Sequence, residues 1–302
     1  MHAERSADGV ADAGGDTAVL VTGGTSGMGL ETAVSLAKLG HFVVTAGRSV
    51  AKLSSAKRRF VDEGVAHRVA VAQGDMNVEE DVTRIVGTVG DLGRLVGVAA
   101  FAGGSDLLGP IVATPLADWR RVIDQNLTTA FLTLKHAGRL MARTGGGSIV
   151  LISSISGADT HRWLGPYAVG KAAVEALARL GSAELGASEV RVNTVRPGLI
   201  ATDYVGHITA DPQALDLFVS QQSIRRVGMP IDVVQAVLWL LSEASGFITG
   251  EVISVDGGSS ARGDVDLSAF ARELYSDEAL AGRVDTDGPA DASAGERSSR
   301  SD

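Results

Sequence analysis

Residues 17–29 read TAVLVTGGTSGMG, and the reading of this stretch decides the fold. Thr17–Thr22 is a short run of aliphatic and β-branched residues, the composition of a strand buried on both faces. It passes without a polar linker into Gly23, Gly24, Gly27 and Gly29, and from Gly27 onward the spacing is helical. Glycines permit the tight turn and leave the backbone open to close approach. A helix starting there aims its unpaired N–H groups and the positive end of its dipole at one point, an arrangement suited to a pyrophosphate. A glycine-rich turn alone is weak evidence. Its place between a buried strand and a helix points to nucleotide binding through Gly23, Thr25, Ser26, Gly27 and Met28.

Outward from that stretch the alternation continues. HFVVTA, RVAVAQGD and RLVGVAAFA follow as strands with amphipathic stretches between them. A long helix then spans about Asp118 to Arg143, followed by strand SIVLIS, a helix from Pro166 to Leu185, strand VRVNTV, a helix from Ile231 to Leu241 and strand EVISVD. Apolar runs of this kind belong to parallel strands covered on both faces. The expected class is therefore α/β, a Rossmann-type doubly wound parallel sheet of seven strands in a single domain spanning residues 17–262. No internal repeat or linker interrupts it.

The 302 residues are 45% apolar and 21% charged, which excludes disorder of the whole chain. With no cysteine, a disulfide framework, a thiolate metal site and a cysteine nucleophile are excluded, and a cytoplasmic location is expected. The net charge of −9 sits in the tails: residues 1–16 carry four acids against one arginine, and residues 263–302 ten acids against four. The body between them is neutral, without the basic stripe that nucleic acid requires. No apolar run approaches a bilayer span, and the opening MHAERSADGVADAGGD lacks the features of a signal peptide. Residues 1–16 and 282–302 are expected to be disordered. Leu267, Phe270, Leu274 and Tyr275 recur at helical spacing, as in one amphipathic helix that docks on the body or a neighbour, or frays.

Tyr167 and Lys171 stand four apart and so share a helix face, with Ser153 and Ser154 ending the preceding strand. A tyrosine near its reference pKa of about 10 is a poor acid or base at neutral pH, and an ammonium one turn away lowers it by stabilising phenolate. Taken alone, this spacing is common on solvated helices.

The glycine turn, the Ser–Tyr–Lys set and the unbroken sheet together make the chain resemble the short-chain dehydrogenase/reductase family over about residues 17–260, in particular members like 3-oxoacyl-[acyl-carrier-protein] reductase. The likeness extends to Asn126 in DQNLTTAF, Asp75, the run Asn193–Gly198 and Val255–Gly258. It implies a tetrad of Asn126, Ser154, Tyr167 and Lys171; Ser154 is preferred to Ser153 because it lies thirteen residues before Tyr167. In the family the tyrosine exchanges a proton with the substrate oxygen as hydride moves to or from a nicotinamide. The lysine lowers its pKa and binds ribose, the serine orients the substrate oxygen, and the asparagine holds a relay water. The resemblance also implies cofactor contacts at Asp75, Met76, Ala102, Gly103, Pro197, Gly198, Ile200 and Thr202. One departure stands out: where the family has Asn-Asn-Ala-Gly this chain has Ala100-Phe101-Ala102-Gly103, a loss expected to weaken the sheet or shift the cofactor floor.

Arg48 follows the second strand where an acid would bind both ribose hydroxyls of NAD, and a guanidinium there pairs with a 2′-phosphate, with Ser49 beside it. NADP(H) is the expected cofactor and NAD(H) the alternative. The expected function is an NADP(H)-dependent oxidoreductase interconverting a ketone and a secondary alcohol on a small-molecule substrate. The alternatives are an NAD-linked alcohol dehydrogenase and a catalytically silent nucleotide-binding regulator. The loop after Phe101, the stretch around Trp163 and an apolar lid carrying Tyr204, Ile208, Leu215 and Phe218 are expected to recognise substrate. His161 reads as an exposed loop residue, His207 lies in the lid segment, and no metal is expected. A homo-oligomer, tetramer over dimer, is expected to bury Ala130, Leu134, Ala137, Leu140, Ala172, Leu177 and Leu180 and to pair the strand Glu251–Asp256 with a symmetry mate.

Overall fold

The run Thr17–Thr22 forms strand β1 at the centre of a seven-stranded sheet in the computed structural model, which describes residues 17–261 and 268–284. The other strands are β2 (Phe42–Gly47), β3 (Val69–Gln73), β4 (Arg94–Ala100), β5 (Gly147–Ile152), β6 (Val190–Pro197) and β7 (Val252–Val255). Their order is β3-β2-β1-β4-β5-β6-β7 and every pairing is parallel. The chain reverses its direction of travel between β1 and β4, so the carboxyl ends of these two strands flank the crevice where such sheets bind ligands.

Helices α1 (Gly27–Lys38), α2 (Val50–Asp62), α3 (Glu79–Leu92), α4 (Leu116–Ile123), α5 (Thr129–Thr144) and α6 (Gly165–Leu185) cover the sheet, followed by α7 (Gly206–Thr209), α8 (Pro212–Val219) and α9 (Pro230–Leu241). Two cores result. Ala18 and Leu20 of β1 pack with Val82 and Ile85 of α3, Met141 of α5 and Val174 of α6. Val19 and Val21 point the other way, onto Val34 and Leu36 of α1, Phe60 of α2 and Val237 and Leu240 of α9. This period-two division explains why a half-apolar pattern would not suffice for β1. The expectation of two-sided burial fails for β3 and β7, which are only partly buried because they lie at the sheet edges.

The Ala100 departure leaves the sheet in register, Thr22 opposite Ala100 and Ala100 opposite Leu151, and Phe101 N–H still donates to Thr22 O at 2.9 Å. The buried Thr22 hydroxyl, opposite Ala100, has no hydrogen-bond partner.

Among the described residues the C-terminal extension is not one helix, and Leu267 of the expected helix lies outside them. Helix α10 (Ser268–Ala271) stops, and α11 (Asp277–Leu280) restarts because the Ser276 side chain accepts from Ala279 N–H as its N-cap. Residues 1–16 and 285–302, whose disorder was expected, lie outside the described residues. Among the described residues no helix is long and apolar enough to cross a membrane.

Candidate active site

The glycine turn is built by contact. Gly23 takes φ +67°, and a Cβ there would lie 2.8 Å from Ala102 N and Phe101 C. Gly27 takes φ +53°, with Thr202 Cγ2 only 3.2 Å from where its Cβ would be. The turn, the end of β4 and the segment after β6 therefore meet at the N-terminus of α1. Ser26, the N-cap, is extended and makes no side-chain cap bond. Thr25 is buried against Gly47. Past Pro197, Gly198 N–H donates to Val255 O at 3.0 Å. Met76 and Ile200, offered as cofactor contacts, have their side chains buried in the two cores.

Asn126 lies in a wide π-type turn, Asp124–Thr128, that joins α4 to α5 where the sequence suggested an uninterrupted helix. Buried there, it donates to Gly104 O (2.8 Å) and Val122 O (2.9 Å) and accepts from Gly104 N–H (3.0 Å). Lys171 is buried on α6, donates to Ile152 O at 2.9 Å and holds its Nζ 5.7 Å from the Tyr167 ring centroid. Gly103 marks where these groups converge: a Cβ there would lie 2.8 Å from Asn126 Oδ1 and 3.1 Å from Lys171 Nζ. Burial lowers the Lys171 pKa to about 8, because removing an ammonium from water disfavours its charged form.

The two serines separate cleanly. Ser153 is buried with its Oγ 2.8 Å from Glu175 Oε1 and 3.1 Å from Lys171 O, so its one proton is committed inside the protein. Ser154 is half-buried and extended, and its Oγ accepts from Ser156 N–H at 3.2 Å, leaving its own proton free of that bond. Glu175 in turn receives a two-pronged bond from Arg196 (2.9 and 2.8 Å), which raises the guanidinium pKa. Sequence reasoning missed this Ser153–Glu175–Arg196 brace, although Glu175 follows Lys171 by one helical turn.

At the other end of the crevice Arg48 Nη1 lies 3.4 Å from Asp75 Oδ2, linking two residues the sequence had offered separately. They line a cavity of about 390 Å³ with Gln73, Gly74 and Asp81. Asp75 Oδ1 accepts from Asn77 N–H (2.9 Å), and Ser49 caps α2 by accepting from Lys52 N–H (3.3 Å). The backbone cradles at Gly23, Gly27 and Gly103, each of which an added carbon would fill, together with this cavity at the strand ends, fit an extended dinucleotide.

His161 corrects its reading as an exposed residue: it is buried, with Nδ1 3.3 Å from Asp159 O. The side chains of Tyr204 and His207 lie outside the described residues, while Ile208, Leu215 and Phe218 are half-buried. No group able to hold a metal occurs among the described residues.

The chain is similar to known proteins over most of its length. The sequence profile of the family described as enoyl-(acyl carrier protein) reductase matches residues 23–260. The chain is 35% identical over 243 residues to cis-4-hydroxycyclohexanecarboxylate dehydrogenase of Sinomonas cyclohexanicum, covering 80% of this chain and 96% of that one. It is 34% identical to dehydrogenase/reductase SDR family member 4 of Bos taurus, with 80% and 86% covered. A solved short-chain type dehydrogenase/reductase from Mycobacterium ulcerans superposes with a TM-score of 0.85 at 40% identity, covering 89% of this chain and 98% of that one. Other solved neighbours were obtained with NADP in one case and NADH in another. By sequence and by fold, the chain belongs to the short-chain dehydrogenase/reductase family, and it is an NAD(P)-dependent oxidoreductase.

Proposed function

We propose that the protein interconverts a ketone and a secondary alcohol with NADP(H), using Asn126, Ser154, Tyr167 and Lys171. The observation that carries this reading is the convergence of Asn126 Oδ1 and Lys171 Nζ at Gly103, with the Tyr167 ring beside the ammonium. When bound, the nicotinamide cofactor supplies or accepts the hydride. Tyr167 gives its phenolic proton to the substrate oxygen in reduction and takes it back in oxidation. Lys171 stabilises the phenolate and passes the proton onward, and Ser154 holds the substrate oxygen. Asn126 fixes the loop at Gly104 and so shapes the relay side. The cyclic hydroxy acid of the Sinomonas relative and its ketone are the first substrates to try. NADPH consumption across a panel of cyclic and open-chain ketones tests the reading, and no turnover of any of them would favour a silent nucleotide-binding protein.

NADP(H) is preferred because Arg48 takes the place of an acid. Arg48→Asp is expected to weaken NADPH binding by about 1.5–3 kcal/mol and to narrow the gap to NADH, measured by fluorescence titration. One observation favours the NAD-linked reading: Asp75 already lies 3.4 Å from the Arg48 guanidinium and would compete with a 2′-phosphate. Equal affinities of the native protein for the two cofactors would refute the NADP(H) preference, and tighter NADH binding would favour the NAD-linked reading.

A homotetramer is also proposed, with a changed contact surface. Ala130, Leu134 and Ala137 face inward and are buried within the chain, since the sheet already covers that side of α5. Of the expected residues Ala172 and Leu180 do face outward, joined by Leu116, Phe131 and Val169. Light scattering of the full chain is expected to report a tetramer, and a monomer would refute the assembly.

A further inference from the structure

The described C-terminal segment, residues 268–284, makes a small apolar cluster of its own apart from the two sheet cores. Tyr275 and Ala279 are buried there against Ala113, with Leu280 and Val284 packed around them, and Ala271 is fully buried. Tyr275 is held by its own N–H, which donates to Ala271 O at 2.9 Å. Its ring lies directly on Gly109: a Cβ at that glycine would sit 2.7 Å from Tyr275 Cε2 and collide with the phenol oxygen. The absence of a side chain at 109 is thus what admits the ring.

Gly109 passes this contact toward the candidate active site. Its N–H donates to Trp163 O at 2.8 Å, and it bridges to Leu164. Trp163 is held at φ +73°, a conformation bulky residues avoid, with its indole Nε1 buried and lacking a hydrogen-bond partner. Such a conformation persists only where surrounding contacts over-determine it. Gly165 follows two residues later, with the Ile111 side chain 3.7 Å from where its Cβ would be, and Tyr167 is the next but one after it. The loop before Gly109 is fixed from the other side by Asp106, 2.7 Å from Arg121 of α4.

We propose that Tyr275 is a positioning residue for substrate binding: through Gly109 it holds the 109–113 segment and Trp163 as the apolar wall on the substrate side of Tyr167. The proposal rests on the reading of the site as a ketone/alcohol site. A loosened wall weakens substrate binding without touching the reacting groups, so its signature is a rise in KM at nearly constant kcat.

The test uses the full chain with Tyr275→Ala, Tyr275→Phe and Gly109→Ala, and cyclohexanone as the probe ketone. Tyr275→Ala and Gly109→Ala are expected to raise KM about tenfold while kcat and the NADPH Kd stay within about twofold, and Tyr275→Phe, which keeps the ring, is expected to match the native protein. Hydrogen exchange is expected to accelerate about tenfold at the amides of Gly109 and Leu164 in Tyr275→Ala, and at that of Leu164 in Gly109→Ala, and to stay unchanged in β1 and β4. Unchanged exchange at both amides, or KM and NADPH Kd rising together, would overturn the proposal. If the native protein reduces no ketone, the site reading fails by itself, and the exchange result alone decides whether Tyr275 positions the wall.

Discussion

Tyr167→Phe is expected to lower kcat for ketone reduction by a factor of roughly 10²–10⁴, the usual contribution of a positioned general acid. Only a hydroxyl is lost. The ring that lies 5.7 Å from Lys171 Nζ remains, so α6 and its packing should be unaffected. NADPH affinity is therefore expected to stay within about twofold of native, which separates a chemical defect from a binding defect. Steady-state kinetics beside a fluorescence titration give both numbers. A Phe variant that keeps most of its turnover would show that Tyr167 is not the proton donor.

Lys171→Met removes the ammonium and keeps most of the side-chain volume, and it is expected to reduce both turnover and cofactor affinity, because one group serves phenolate and ribose together. The native pH dependence follows from burial. With its pKa lowered to about 8, Lys171 carries its proton below that pH and loses it above. Ketone reduction consumes a proton, so kcat/KM for reduction is expected to fall as pH rises through about 8, a limb that Lys171→Met should lack. The stability sign is the opposite. Between about 8 and the unfolded value near 10.4 the unfolded chain binds more protons than the folded one, so native stability rises with pH across that window. Below it the buried charge costs about 3 kcal/mol. Denaturation of native and Met variants at about pH 7 and about pH 10.5 should show their stability difference shifting toward the native protein at the higher pH. A difference independent of pH would mean that Lys171 titrates normally.

The elements of this protein were legible because they are local. The apolar run Thr17–Thr22 can satisfy its side chains only between two layers, and Gly23 and Gly27 adopt the positive φ their turn requires. Helices α6 and α9 begin and end within one residue of where the sequence placed them, and α1 begins at Gly27 as read, since such limits depend on capping, glycine and apolar period. The wide turn at Asp124–Thr128 was not legible: no proline or glycine marks it, and it exists because Asn126 bonds to Gly104, a partner supplied by another strand's end.

By itself, then, the sequence determined the strand and helix order, the parallel class of the sheet, the glycine turn and the spacing of Ser154, Tyr167 and Lys171, all consequences of backbone preference and period. Tertiary structure alone decided which partners these residues met. It committed Ser153 to Glu175, set Asp75 beside Arg48, buried His161, turned Ala130 and Leu134 inward and brought Tyr275 onto Gly109. Each of these depends on how distant segments stack, and the energy that selects the partner comes from desolvation and close packing, which spacing along the chain does not encode.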